Sequence, residues 1–233
     1  MAEKPSGTEN KRPRRARAPL QSAQERNGEP PLSLPRIVAT AVDLLDAEGV
    51  DGLTMRRLAD RLGAGAMSLY WHVENKEKVF DLALDSALQY PASPQVADTL
   101  DWREDVVRLL EDWRVCMLRH PWSASLLPRR ALGPNILGRL ELLSSTLSRA
   151  GVADADLNAA IWSLWNYVIG ATITRANFDR TDDDRTAAQQ RVTGLSERYP
   201  TIERSRLLLD SDWDGTFRKG LDFLIDGIAT KKE

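Results

Sequence analysis

Residues 157–174 contain no charged side chain, although 28% of the residues in the whole chain are charged. An uncharged run of this length reaches the lower limit for a membrane-spanning helix, but polar side chains interrupt it. These are Asn158, Ser163, Asn166, Thr172 and Thr174. A helix that is apolar around nearly its whole circumference in a soluble protein is buried on several sides. We therefore expect a helix that serves both the core and a subunit interface, with no membrane association.

The rest of the chain predicts an all-α fold. From residue 33 onward apolar residues recur at helical spacing, and no period-2 alternation marks a strand. Helices are predicted at about 33–49, 54–63, 66–72, 75–88, 102–120, 135–150, 157–174 and 213–228. Ser33 and Asn75 are expected to cap the first and the fourth of these helices. Residues 180–196 are polar and carry aspartates at 182–184, and we interpret them as a solvated loop rather than a metal site.

Cysteine and histidine content excludes several classes of protein. The single cysteine, Cys116, rules out a disulfide framework and a cysteine-based zinc site. The two histidines, His72 and His120, are far apart in the sequence, and none of these three residues has an obvious catalytic partner. We therefore expect no enzyme, no metal site and no cofactor. No apolar run near the N-terminus resembles a secretory signal, so a cytoplasmic protein is expected.

Residues 1–31 are basic and rich in proline. They hold seven lysines and arginines against four glutamates, and five of the seven residues at 11–17 are basic. With so little apolar area to bury, this segment is expected to be a disordered arm. Two interpretations stay open, a solubilising tail and an arm that touches DNA phosphates.

Three short helices joined by tight turns, at 33–49, 54–63 and 66–72, are typical of a helix-turn-helix unit. The third helix of such a unit lies in the DNA major groove. Its small core is expected to be Leu58, Ala59, Leu62 and Leu69. The third helix is too short to bury Tyr70 and Trp71 together with Leu69, although burial of either ring alone is the competing interpretation.

The motifs in this unit resemble a known family. The segment 53–63, LTMRRLADRLG, is followed by SLYWHV at 68–73 and by Asn75 and Lys76. These residues resemble the DNA-binding domain of the tetracycline-repressor (TetR) family. Gly151, the uncharged helix and residues 216–227 are similar to the C-terminal regulatory domain of the tetracycline-repressor branch. The resemblance covers about 33–229 and, after the arm at 1–31, implies a DNA-binding domain at 32–80 and an effector-binding and dimerisation domain at 81–229.

The resemblance also implies the DNA contacts. Base edges would be read by Arg56, which suits a guanine, and by Ala66, Met67 and Ser68. The sugar-phosphate backbone would be held by Tyr70, Trp71, His72 and Lys76, and Thr54 and Met55 flank that surface. Ala66 and Met67 differ from the founding repressor, so a different operator is expected.

The second domain is expected to dimerise and to enclose an effector. The dimer would be a four-helix bundle of two copies of 157–174 and 216–228, packed by Ile161, Leu164, Val168, Phe217, Leu221 and Leu224. Candidate ligand contacts are Trp113, Met117, Trp162, Trp165 and Asn166. Core packing is the alternative for each tryptophan, whereas the Asn166 amide needs either a ligand or the symmetry mate as its partner.

The expected effector is a small, metal-free hydrophobic molecule. The founding repressor binds a magnesium–drug chelate through a histidine before an Arg-Pro loop, and the matching residues 126–130 contain no histidine. The sequence thus indicates a ligand-responsive regulator, usually a repressor in this family, that binds double-stranded DNA as a homodimer. The competing interpretation is a helical scaffold whose DNA binding has lapsed, because residues 33–80 hold six basic and seven acidic side chains.

Overall fold

The computed structural model describes residues 31–89, 101–177, 182–205 and 212–230, so nearly all of the predicted arm lies outside the described residues. Within these ranges all regular structure is helical, as predicted. The helices are α1 Leu34–Gly52, α2 Met55–Arg61, α3 Ala66–Leu69, α4 Lys76–Ala87, α5 Trp102–Arg119, α6 Pro121–Leu126, α7 Pro134–Arg149, α8 Asp154–Asn177, α9 Asp182–Thr193, α10 Pro200–Ser205 and α11 Trp213–Ala229. None of them combines the length and the hydropathy that crossing a bilayer requires.

The first three helices form the predicted helix-turn-helix unit. The Thr54 hydroxyl caps α2 by accepting from the Arg57 amide, and Asn75 caps α4 by accepting from the Lys78 amide at 2.8 Å. Ser33 occupies the N-cap position of α1, as predicted, but its side chain makes no capping hydrogen bond. The turn after α2 depends on Gly63, whose φ of 62° lies in the left-handed region. α3 is one turn long and is therefore shorter than the helix predicted at 66–72. A hydrogen-bonded turn continues the chain from α3 to His72.

Asp85 of α4 joins this helix to the start of α7. Its carboxylate accepts from the backbone amides of Asn135 and Ile136 at 2.9 and 3.2 Å, and from the Asn135 side chain at 2.9 Å. These amides belong to the first turn of α7, which lacks partners within its own helix. Asp85 therefore caps α7 from a different helix and fixes the C-terminal half of α4 to it.

Arg139 of α7 makes the reciprocal connection. Its guanidinium is fully buried and donates to the backbone carbonyls of Leu88 and Gln89, at 2.9 and 3.2 Å, just after α4. It also donates to the Asp112 carboxylate of α5 at 2.9 Å. One buried cation thus satisfies the carbonyl groups at the end of α4 and joins three helices.

The uncharged helix is buried on one side only. Leu164, Trp165 and Val168 of α8 pack into the core with α5, where the Trp113 and Trp165 rings meet edge to face at 4.6 Å. Trp162 on another face of α8 is largely exposed. The prediction of a core helix is confirmed for one side of α8, and its other face is left available.

Two segments differ from the predictions. The supposed loop at 180–196 contains the helix α9, and Asp183 and Asp184 lie in its first turn, where the helix dipole favours negative charge. Residues 121–129 contain α6 and a 3₁₀ turn at Leu127–Arg129. In the sequence, Pro121 and Pro128 suggest that helical structure is interrupted. In the structure each proline lies in the first turn of a helical segment, where proline is tolerated.

Replacement of Arg139 by Met should destabilise the fold. The variant keeps much of the side-chain volume but loses the hydrogen bonds to Leu88, Gln89 and Asp112, at a cost of about 3 kcal/mol in the free energy of unfolding. Urea denaturation followed by circular dichroism at fixed protein concentration measures this cost. Arg149→Met, an exposed arginine on the same helix, should cost less than about 1 kcal/mol. Equal costs for the two variants would contradict the assignment.

Candidate DNA-binding surface and effector cavity

Most of the predicted DNA contacts are exposed to solvent, and Lys76 is half-buried. We use the name recognition surface for this set, which comprises Arg56, Ala66, Met67, Tyr70, Trp71, His72 and Lys76. Trp71 is 87% exposed and Met67 is 75% exposed. Leu69, which lies between them in sequence, is completely buried against the unit's core with Leu58 and Leu62. The single turn of α3 therefore directs one side chain inward and presents large apolar groups to solvent, and neither Tyr70 nor Trp71 is a core residue.

The three arginines of α2 have different surroundings. Arg57 and Arg61 both pair with the Glu48 carboxylate of α1, and Arg57 also donates to the Gly52 carbonyl at 3.2 Å. Arg56 is exposed and makes no hydrogen bond or ion pair with any residue that the structure describes. Arg56 is therefore the α2 guanidinium that remains available to an external anion or base.

The remaining predicted DNA contacts flank this surface. Thr54 is exposed but its hydroxyl is used in capping α2, and Met55 and Ser68 are half-buried. The Lys76 ammonium lies 5.1 Å from the centre of the Phe80 ring, at the first turn of α4. The start of α4 thus carries a cation and a helix N-terminus a few residues after the exposed Trp71 and His72 in the sequence.

A cavity of about 450 Å³ opens between α7, α8 and the segment at 127–132. Its volume lies within the range typical of small-molecule sites. Three of the five predicted ligand contacts line it, namely Trp162, Trp165 and Asn166. The other two, Trp113 and Met117, are buried in the core and are not among its lining residues. Trp113 packs edge to face on Trp165 instead, as the core-packing alternative for the tryptophans predicts.

The other lining residues were not predicted from the sequence. They are Leu127, Pro128, Arg130, Leu132, Leu140, Ser144, Ile161 and Ile169. The Leu-Pro-Arg-Arg segment at 127–130 is the sequence signal that points to this wall, because Leu127, Pro128 and Arg130 line the cavity. Arg130 is the only charged side chain among these lining residues.

His120 and Cys116 have structural surroundings. The His120 imidazole lies 2.8 Å from the Asp46 carboxylate of α1, which also accepts from the Trp122 indole at 2.6 Å. The Cys116 sulfur lies 3.3 Å from the Arg139 guanidinium. The described residues include no group of three or more histidine, cysteine, aspartate or glutamate side chains suited to hold a metal ion.

A second exposed surface lies along α8 and α11, and we call it the α8–α11 face: Ala159, Ser163, Phe223 and Gly227 with adjoining residues. Phe223 is 66% exposed beside a groove of about 290 Å³ between the two helices. Four of the six residues predicted to pack a dimer are instead buried inside this protomer. These are Leu164, Val168, Phe217 and Leu221. That part of the predicted interface is wrong, because these side chains form the core of the chain itself.

Tyr167 joins the two helices of this face. Its hydroxyl donates to the Phe217 carbonyl at 3.0 Å, and the two rings stack at 5.3 Å. Burial raises the pKa of the Tyr167 hydroxyl, and the nearby Arg114 opposes the rise. The hydroxyl therefore stays protonated and keeps donating at neutral pH, which holds α8 and α11 together as one surface.

Comparison with known proteins identifies the family. Residues 37–83 match the family model "Bacterial regulatory proteins, tetR family", and residues 93–232 match "Tetracyclin repressor-like, C-terminal domain". An HTH-type transcriptional regulator of Saccharopolyspora erythraea is 38% identical over 86% of this chain and 86% of its own length. The HTH-type transcriptional repressor DrrR1 of Streptomyces coeruleorubidus is 35% identical, over 87% of this chain and 79% of its own.

Solved structures show the same relationship. The Streptomyces coelicolor TetR family protein ActR, in complex with (S)-DNPA, superposes with a TM-score of 0.74 at 29% identity. The match covers 88% of this chain and all of that one. Regulators of this family bind DNA and small-molecule ligands and act as dimers. The chain belongs to the TetR family and is a transcriptional regulator with a DNA-binding domain followed by a ligand-binding domain.

Proposed function

We propose that this protein is a repressor that binds a near-palindromic operator as a homodimer and releases it when a small, largely apolar effector enters the cavity. The observation that carries the proposal is the recognition surface, on which Arg56 is unpaired and Trp71 and Met67 face solvent. Exposing such apolar side chains in free protein is costly, and a macromolecular partner would cover them.

The recognition surface fits duplex DNA. A guanidinium can donate twice to guanine, whereas Ala66 and Met67 offer apolar contacts that suit a thymine methyl group. Tyr70, His72 and Lys76 supply groups for phosphates, and the N-terminus of α4 adds its dipole. Arg57 and Arg61 would keep their ion pairs with Glu48. Recognition of bases by α2 would therefore depend mainly on Arg56.

A homodimer follows from the size of this surface and from the α8–α11 face. One short recognition helix reads too few bases, and a two-fold dimer places two such helices about 34–36 Å apart, one turn of DNA. Phe223, with the small residues Ala159, Ser163 and Gly227 around it, offers a second copy an apolar contact that permits close helix approach. Two copies of α8 and α11 would form a four-helix bundle.

The cavity supports control by a small molecule. Its walls include the Trp162 and Trp165 rings, and the Asn166 amide is exposed and makes no hydrogen bond with described residues. The related ActR binds (S)-DNPA, and the related DrrR1 is named a repressor. An effector need only bind more tightly to the form that does not bind DNA, and DNA must then weaken effector binding by the same factor.

Selection of bound fragments from random DNA by the purified protein, at two salt concentrations, tests the proposal. A palindromic consensus enriched at both concentrations is expected. Binding that disappears with added salt would show phosphate attraction alone. The acidic balance of residues 33–80 would then favour the scaffold alternative.

Arg56→Ala and Tyr70→Ala should each weaken binding to the selected operator. Loss of a bidentate base contact costs about 1–3 kcal/mol, which is roughly 5- to 150-fold in affinity. Arg56→Ala should also relax the base preference at one operator position. Fluorescence anisotropy measures the affinity, with Arg149→Ala as the matched control, and circular dichroism checks the fold. Unchanged affinity in both variants would refute the assigned surface.

Phe223→Asp should separate the protomers without unfolding them, because this side chain is exposed in one chain and would be buried in the dimer. Two unpaired charges at the interface should raise the dimer dissociation constant roughly hundredfold or more. Sedimentation velocity measures the change, and operator binding should fall with it. Val115→Asp, which changes an exposed apolar residue of α5, should have no effect on either quantity.

Tetracycline should bind weakly and without dependence on magnesium, because the segment at 126–130 provides no histidine ligand. Calorimetric titration with and without Mg²⁺ gives the comparison. Tight binding that requires Mg²⁺ would contradict the metal-free effector.

A further inference from the structure

Arg130 connects the cavity to α4. Its side chain lines the cavity and is only 16% exposed. The guanidinium packs over the Phe80 ring at 4.8 Å and pairs with Glu77, and its Nη1 atom lies 3.8 Å from the Asp81 Oδ1 atom. One arginine therefore faces a potential ligand while it touches three side chains in the first half of α4.

The two carboxylates beside Arg130 differ in how strongly the Arg130 charge stabilises them. Glu77 is 64% exposed, so water solvates its charge and the pair contributes little. The Asp81 Oδ1 atom is buried and has no hydrogen-bond partner among the described residues. The Asp81 side chain as a whole is 23% exposed, so its charge is only partly solvated and the loss of its countercharge is unfavourable. Asp81 consequently depends on the Arg130 guanidinium, although the distance is too long for a hydrogen bond.

We propose that the effector is an aromatic acid whose anionic group takes the Arg130 guanidinium away from Asp81, and that this exchange drives α4 out of its DNA-binding position. This inference rests on the proposed function, for which it names the ligand class and the relay. Trp162, Trp165 and Ile169 accept the rings of the ligand, and Arg130 accepts its negative charge. A neutral aromatic molecule packs against the same cavity walls but leaves the Arg130–Asp81 contact in place.

The position of α4 explains how the exchange reaches DNA. Asp85 fixes the C-terminal half of α4 to α7, whereas the N-terminal half, with Asp81 and Glu77, is held at this point by Arg130. Lys76, at the start of α4, belongs to the recognition surface. When Asp81 loses its countercharge it gains by reaching water, so the N-terminal half of α4 moves while its other end stays anchored. The recognition surface moves with it.

Two matched dyes test the ligand class on the full-length protein without DNA. 8-Anilinonaphthalene-1-sulfonate and N-phenyl-1-naphthylamine share their rings and differ by the sulfonate. Wild type should bind the sulfonate at least tenfold more tightly, and the sulfonate should displace the neutral dye. Arg130→Gln should abolish this preference while neutral-dye affinity stays within twofold, and Arg129→Gln, the exposed neighbour, should change neither. Equal affinity for both dyes in wild type, or a preference that survives Arg130→Gln, would overturn the inference.

The relay is tested with the operator recovered by selection. The sulfonate dye should release wild-type protein from this DNA, with at least a tenfold loss of operator affinity. Asp81→Asn should bind the dye several-fold more tightly, because Arg130 no longer has a dependent partner, yet should lose less than twofold in operator affinity when the dye is added. Glu77→Gln, on the same helix, should respond like wild type. A full response in Asp81→Asn, or none in wild type, would overturn the relay.

These outcomes separate the two proposals. If wild-type protein selects no operator, the proposed function fails, and the dye comparison still decides whether the cavity prefers anions. If an operator is selected and the dye preference is absent, the regulatory function stands and the aromatic-acid inference fails.

Discussion

The reciprocal polar contacts between α4 and α7 are the constraint on which the rest of the structure depends. Asp85 of α4 caps the start of α7, and Arg139 of α7 caps the end of α4, each through buried or nearly buried groups. The loss of a partner from a buried polar group is costly, so the C-terminal end of α4 and the first turns of α7 keep one mutual geometry. The helix that carries part of the recognition surface is thereby tied to the helix that forms a cavity wall.

Two carboxylates of the DNA-binding domain are used in contacts within the protein. Glu48 holds Arg57 and Arg61 against α1, and Asp46 accepts hydrogen bonds from His120 and Trp122 beyond the domain. These acids stabilise the protein's own contacts rather than repel DNA at the recognition surface. A count of charges misleads here because it treats every side chain as equally available, whereas the structure leaves Arg56 unpaired among the arginines of α2.

Sequence reasoning succeeded where a local rule is strong and failed where tertiary contacts decide. Helical periodicity and the Asn75 cap predicted α4, and the brevity of α3 predicted that Tyr70 and Trp71 stay outside the core. Nothing local distinguishes Trp113, which packs in the core, from Trp162, which lines the cavity, because both are aromatic residues on amphipathic or apolar helices. The buried side of α8 could not be foreseen for the same reason: an uncharged helix carries no polar stripe to show which face meets the core.

The cap on α7 also restricts how relatives can diverge. Gly133 precedes α7 so closely against Asp85 that a β-carbon there would collide with the carboxylate, while Leu127 at the other end of the segment is buried. The residues between these two anchors form part of the cavity wall. This stretch can therefore change its side chains to suit another ligand but cannot readily gain or lose residues. Ligand preference in proteins built this way should diversify through substitution at constant length, in contrast to the insertions by which surface loops commonly acquire new specificity.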